Sequence, residues 1–368
     1  MKIMVTAGEI SGDIHAADLI RALKRIYPEA EFVGTGGDAM RAEGVRLLYH
    51  TEELATMGIW EVLVKLSFFR RVLADLKRRL ADEKPDLFLS VDYPGMNIRL
   101  AASAKRLGIP TVHYISPKVW VWKRNRIFTI AKAVDLLLCI FPFEPACYAP
   151  AGMHPVFVGN PLVSQLRQVR ADESLWRGTP RIALLPGSRR LEISNLMPVL
   201  LQAAALLRER FPNASFVIPA PSAGVRKLIG AFAVPDYIRV VEGCARETMK
   251  GADAGVIASG TATLEATLLG CPTVLIYKMS LGTEIFARLV IRNRVAGLTN
   301  LIAGREVIPE LLQRDCNPAN IVRRLLPLLD DSAERREMLD GYEMVRKELG
   351  ESDAAVRAAG EIQRLLER

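Results

Sequence analysis

Short β-branched or leucine-rich runs alternate along this chain with longer helical patterns, and each run ends in a loop of glycine, hydroxyl or charged residues. That alternation leaves few folds open, because parallel strands joined by helices need a sheet covered on both faces. Strands are expected at residues 3–6, 31–35, 87–91, 111–115, 136–140 and 156–158, with helices between them such as 16–26 and 99–107. After a linker at 159–180 the alternation restarts with RIALLPGSRR and continues through SFVIPA, IRVVEG, AGVIASG and TVLIYK. The restart predicts an α/β chain of two Rossmann-like domains facing each other across a cleft, since ligands of such sheets bind beyond the carboxyl ends of the strands. A chain of 368 residues is also long for one core. The expected division is 1–165 for the first domain and 178–340 for the second. A helical tail, 341–368, returns to the first domain or packs on a partner subunit.

Composition narrows the partners. The net charge of +8 favours an anionic ligand such as a nucleotide, a phosphorylated substrate or an acidic headgroup. No nucleic-acid motif with interleaved aromatics appears, so nucleic acid is not an expected partner. Neither an export signal nor a spanning segment is expected, because no apolar stretch reaches the roughly 20 residues that a spanning helix needs. The five cysteines and four histidines show no ligand spacing, so the thiols read as reduced and neither a metal nor a cofactor is expected.

The loops carry the chemistry. In the second half, LLPGSRR places Gly187, Ser188 and Arg189 between a strand and a helix expected to start near Glu192, where unpaired N–H groups and an arginine suit a phosphate. IASGTATLEA repeats the arrangement with Ser259, Gly260 and Thr261, and adds Glu265 one turn into the helix for ribose hydroxyls. Either loop alone is also an ordinary capped turn; two in one domain favour a nucleoside diphosphate. Walker A and G-x-G-x-x-G patterns are lacking. The first loop, AGEISGD, bears Glu9, Ser11 and Asp13; the two acids, Glu9 and Asp13, would repel a diphosphate, so the loop instead suits hydroxyls. Gly8 and Gly12 there allow a tight turn. SVDYPGMN presents Asp92 at a strand end, either as a general base toward a hydroxyl or as the cap of a Pro94-Gly95 turn. ISPKVWVWKRNR brings Trp120 and Trp122 together with Lys118, Lys123, Arg124 and Arg126, so the tryptophans are a sugar platform or ordinary packing.

Residues 58–79 hold two apolar stripes. Ile59, Leu63, Leu66, Phe69 and Leu73 suffice for packing; Trp60, Val64, Phe68 and Val72 form another face amid basic residues. That second face is expected to meet a membrane surface, or alternatively protein.

Together AGEISGD, MGIWEVL, VDYPGMNI, HYISPKVWVWK, PFE (142–144), LLPGSR, SGTATLE and NLIAGREVIPELLQ (300–313) resemble the lipid-A-disaccharide synthase family in sequence and order across nearly the whole chain. The resemblance implies a GT-B glycosyltransferase that joins UDP-2,3-diacylglucosamine to 2,3-diacylglucosamine 1-phosphate (lipid X), making a β-1,6 disaccharide and releasing UDP. It implies that Asp92 is the base, that Glu9 and Ser11 line the acceptor side, and that Arg189, Glu265, Asn300 and Gln313 contact the donor. Gly95 and Met96 depart from the family's usual Asp and Phe. The resemblance also implies a peripheral enzyme at the cytoplasmic face of the inner membrane, with a homodimer as a candidate assembly. Other GT-B transferases or epimerases, and a non-catalytic nucleotide-sugar-binding protein, are the rival readings.

Overall fold

The structure, a computed structural model, describes residues 1–54, 66–121, 124–279, 297–351 and 353–367. The chain forms two compact units, one of residues 1–161 with 349–368 and the other of residues 162–348. The helix Ala333–Glu348 lies in the second unit, so the segment that crosses to the first begins later than 341.

In the first unit seven parallel strands are ordered β3-β2-β1-β4-β5-β6-β7. They are β1 (Lys2–Ala7), β2 (Glu31–Gly36), β3 (Arg46–His50), β4 (Leu87–Val91), β5 (Thr111–Tyr114), β6 (Leu136–Cys139) and β7 (Val156–Phe157). Alternate side chains enter two cores, as a strand's period of two requires. Ile3, Val5, Leu87 and Leu89 pack against Ala16, Leu19, Ile20 and Leu23 of the helix Ile10–Ile26, and against Ala355, Ala358 and Ile362 of the last helix, Ala354–Leu366. Met4 and Phe88 point the other way, among Val72, Leu76 and Leu80 of Leu66–Glu83 and Leu100, Ala101 and Ala104 of Pro94–Arg106. Each fully buried aliphatic side chain contributes about 1.5–3 kcal/mol, so these two layers hold the sheet rigid beneath its loops.

The second unit repeats the plan with six parallel strands ordered β10-β9-β8-β11-β12-β13. These are β8 (Arg181–Leu185), β9 (Ser215–Ala220), β10 (Ile238–Glu242), β11 (Ala254–Ala258), β12 (Thr273–Tyr277) and β13 (Glu310–Leu312). Its core joins Ile182, Leu184, Phe216, Ile218 and Val256 to the helices Arg190–Arg210, Pro318–Leu329 and Ala333–Glu348.

Each sheet has one place where consecutive connections leave in opposite directions. In the first it lies between β1 and β4, in register from Ile3 opposite Leu87 to Ala7 opposite Val91. In the second it lies between β8 and β11, from Ala254 opposite Ile182 to Ile257 opposite Leu185. Helices on either side diverge at such a switch point and leave a crevice past the strand ends. The four loops singled out above for acids or for glycine with hydroxyls follow β1, β4, β8 and β11.

Candidate active site

At the first switch point Glu9 and Asp92 end neighbouring strands. Asp92 lies outside the helix Pro94–Arg106, whose N-cap is Tyr93 with no side-chain cap, so the carboxyl of Asp92 is not a helix cap. Asp92 and Tyr93 both adopt the left-handed conformation, with φ of 47° and 45°. For non-glycine residues this costs about 1–2 kcal/mol each, and the surroundings impose it. The buried Asn97 carboxamide accepts from the Thr6 hydroxyl at 2.9 Å and donates to the backbone carbonyls of Thr6 (3.2 Å), Val91 (3.2 Å) and Asp92 (2.8 Å). It thereby laces β1 to the bend after β4. The Asp92 N–H donates to Tyr114 O at 2.9 Å. Gly8 completes the fit: a Cβ there would lie 2.4 Å from the Tyr93 ring.

Burial pushes the Asp92 carboxyl up from its ordinary value, against the opposing pull of the Tyr93 N–H, Lys118 and His15. Glu9 is pushed up by partial desolvation and by the charge of Asp92. Half-buried Asp92 is thus a desolvated acid beside a second acid, with Lys118 and His15 nearby. Ser11 is exposed at the start of the first helix. Lys118 comes from the loop after β5, where the β-branched Ile115 has φ of 73°. That loop is tied down by Ser116 Oγ, 2.9 Å from Tyr148 Oη, and by the Trp120 ring, which meets Phe143 edge-on at 5.3 Å.

Three expectations need correction. Asp13 is 5 % exposed, and its carboxylate accepts the N–H groups of Gly37 (2.6 Å), Ala39 (3.0 Å) and Met40 (3.1 Å). It holds the loop after β2, a structural role in place of the one expected toward the acceptor. Asn300 is also committed internally: Oδ1 accepts from Val307 N and Ile308 N, while Nδ2 donates to Ile308 O and Glu310 Oε1. With all four of its bonds used, Asn300 braces the segment leading to β13 and offers nothing to a donor. Of the proposed membrane stripe, Val72 is 1 % exposed in the core and Phe68 packs against the same cluster. Steps of four residues from Phe68 run through Val72 to Leu76 and Leu80, which is the helix's core-facing stripe. Trp60 and Val64 lie outside the described residues, as does Trp122.

At the second switch point the chemistry is reversed. Gly187 has φ of 97°, and a Cβ there would lie 2.5 Å from the Glu192 carboxylate. Exposed Ser188 and Arg189 donate their backbone N–H groups to Glu192 Oε2 at 3.3 Å each, and Arg189 Nη1 lies 3.1 Å from Oε1. The loop therefore already gathers backbone and guanidinium donors around an acid group. After β11, Gly260 is the N-cap of Thr261–Leu269 with no side-chain cap, and Ser259, Gly260 and Thr261 precede the helix dipole. Glu265 is paired with Arg246, whose Nε and Nη2 lie 2.9 Å and 2.7 Å from Oε1. Sequence reasoning missed Arg246, which carries no signal beyond a helix start after β10. Gln313, with φ of 52°, follows β13 and accepts the Met279 N–H at 2.7 Å.

No described helix is long and apolar enough to cross a membrane. A family profile described as lipid-A-disaccharide synthetase matches residues 3–360. The chain is 41 % identical to the lipid-A-disaccharide synthase of Myxococcus xanthus over 99 % of its own length and 97 % of that protein's. Among solved structures it is similar to UDP-GlcNAc 2-epimerase of Methanocaldococcus jannaschii in complex with UDP-GlcNAc and UDP, at TM-score 0.64, 14 % identity, and 99 % and 100 % coverage. The calicheamicin glycosyltransferase CalG4 matches at TM-score 0.62, 17 % identity, and 100 % and 98 % coverage. At such identities these two show the GT-B fold alone.

Proposed function

The chain belongs to the lipid-A-disaccharide synthase family and is a glycosyltransferase that forms the lipid A disaccharide; on that premise we propose a division of labour between its two switch points. The first receives the hydroxyl-bearing acceptor, 2,3-diacylglucosamine 1-phosphate. The second holds the diphosphate of UDP-2,3-diacylglucosamine. Asp92 takes the proton of the acceptor 6-hydroxyl as its oxygen attacks C1 of the donor sugar. The bond from C1 to the diphosphate breaks, and its electron pair leaves with UDP. A single in-line displacement converts the α-linked donor to a β-1,6 product.

The supporting observation is the segregation of charge. Acids cluster after β1 and β4, where they can accept a proton and bind hydroxyls; glycine, hydroxyls and Arg189 follow β8 and β11, where helix N-termini stabilise the charge developing on UDP. Burial helps Asp92 as a base by raising its affinity for a proton, while Lys118 and His15 pull in the opposite direction. Glu9 and Ser11 line the acceptor side with Trp120, and Gln313 and Glu265 complete the donor side. Because both substrates carry acyl chains, each buried CH₂ contributing about 0.8 kcal/mol, a peripheral location at the inner face of the inner membrane follows from the proposed reaction.

Release of UDP from UDP-2,3-diacylglucosamine, measured with and without 2,3-diacylglucosamine 1-phosphate in detergent containing EDTA, tests this reading. Release that depends on the acceptor and survives EDTA supports it. Equal release without acceptor would replace it with hydrolysis.

A further inference from the structure

The PFE segment lies outside the roles assigned so far, and Glu144 within it is 1 % exposed. One carboxylate oxygen, Oε2, accepts the N–H groups of Ile140 (3.2 Å) and Phe141 (3.1 Å) and so closes the turn after β6. The other, Oε1, is buried with no hydrogen-bond partner among the described residues, and the same is true of the Trp120 indole Nε1. These two groups are neighbours: the indole N–H favours the charged carboxylate, although neither atom has a partner at ordinary hydrogen-bond geometry. Trp120 rests edge-on against Phe143, whose ring stacks on Phe141 at 5.6 Å. Lys118, two residues before Trp120, acts electrostatically on both Glu144 and Asp92. A buried acceptor and a buried donor left unmatched side by side are each destabilising, and a hydrogen bond between them would satisfy both.

We propose that Glu144 is a positioning residue, whose free oxygen takes the Trp120 indole N–H when acceptor binds and so sets the aromatic wall beside Lys118 and Asp92. The proposal rests on the reading of the loop after β5 as acceptor-side. Burial pushes the Glu144 carboxyl up to about 7. The groups facing it are Trp120 and Lys118 of that loop, Cys139 at the end of β6, and Cys147 and Tyr148 of the following 3-10 helix. Protonation as pH falls through about 7 lets the carboxyl present a donor to the indole, so the contact weakens on the acid side.

The test is steady-state kinetics of Glu144→Gln, Trp120→Phe and the double variant. Glu144→Gln keeps the volume but can present an amide N–H to the indole. Each single variant should raise the KM for acceptor about tenfold, the scale of one buried charge-assisted hydrogen bond, and lower kcat less. The KM for UDP-sugar should hold, and the double variant should be no worse than either single. In the wild type, acceptor KM should rise as pH falls through about 7, while Glu144→Gln should be flat over that window; this wild-type profile stands even where the variant folds poorly. A Glu144→Gln enzyme with a lowered melting temperature and unchanged acceptor KM, or with both KM values shifted alike, would overturn the proposal. An inert Trp120→Phe would overturn both this role and the acceptor-side reading of the loop. A shifted Trp120→Phe beside an unshifted Glu144→Gln would overturn the positioning role alone.

Discussion

At the first switch point the residues past the strand ends are acids, Glu9 on extended backbone and Asp92 on strained left-handed backbone, whereas at the second they are glycine, hydroxyls and arginine at the starts of helices. Topology is the same in both: two loops brought side by side because the sheet reverses its winding there. Chemistry then depends on what fills the loops. A carboxyl that must accept a proton gains from desolvation, and Asn97 holds Asp92 and Tyr93 in a conformation neither would choose alone. A diphosphate, on the proposed reading, needs donors with no side chain in the way, and Gly187 leaves that space beside Glu192. On the proposed reading, one address serves as a proton acceptor in the first unit and an anion cradle in the second.

This contrast can be broken at several points, beginning with the largest effect. Asp92→Asn should reduce kcat about 10²- to 10⁴-fold, the usual contribution of a positioned base; turnover within tenfold of wild type would remove Asp92 from that role. Asn97→Ala strips its hydrogen-bond partners from Thr6 and from the carbonyls of Val91 and Asp92. It should destabilise the protein by about 2–4 kcal/mol in denaturant unfolding and depress turnover, because the bend that presents Asp92 relaxes. Arg189→Ala belongs to the other switch point and should weaken UDP binding about tenfold by calorimetry; unchanged affinity would move the diphosphate elsewhere. The smallest change is in pH dependence. Lys118 opposes the burial that raises Asp92, so Lys118→Ala lets that carboxyl hold its proton to higher pH. The base works only when ionised, and the acid limb of kcat/KM should therefore move upward; a downward shift would contradict the assignment.

Much of this was legible in the residues. β4 falls where its leucine-rich run predicts, and the loops picked out by polar and glycine content follow β1, β4, β8 and β11, at the two switch points. Helix starts were not: the first helix begins at Ile10 and the one after Asp92 at Pro94, earlier than expected, because Gly12 and Pro94-Gly95 sit inside first turns rather than in the loops they resemble. Proline suits that position, where its missing N–H is no loss. Strands β3 and β13 were not expected; β13 has three residues, too few to show a period. Asp13 and Asn300 were assigned to ligands because a polar residue near a strand end looks the same whether it binds substrate or a neighbouring loop's backbone. That distinction depends on contacts 24 to 27 residues away for Asp13 and 7 to 10 for Asn300. The Phe68 and Val72 positions were read without their continuation at steps of four, through Leu76 to Leu80, which marks them as the core-facing stripe.

The central claim is that proton acceptance and nucleotide binding are separate properties of separate switch points. Calorimetric titration of UDP into the Asp92→Asn protein tests it most directly. The account predicts an affinity within about twofold of wild type, a difference of about 0.4 kcal/mol, in a protein that has lost turnover. An affinity that falls along with turnover would contradict it, because Asp92 would then belong to the nucleotide site as well.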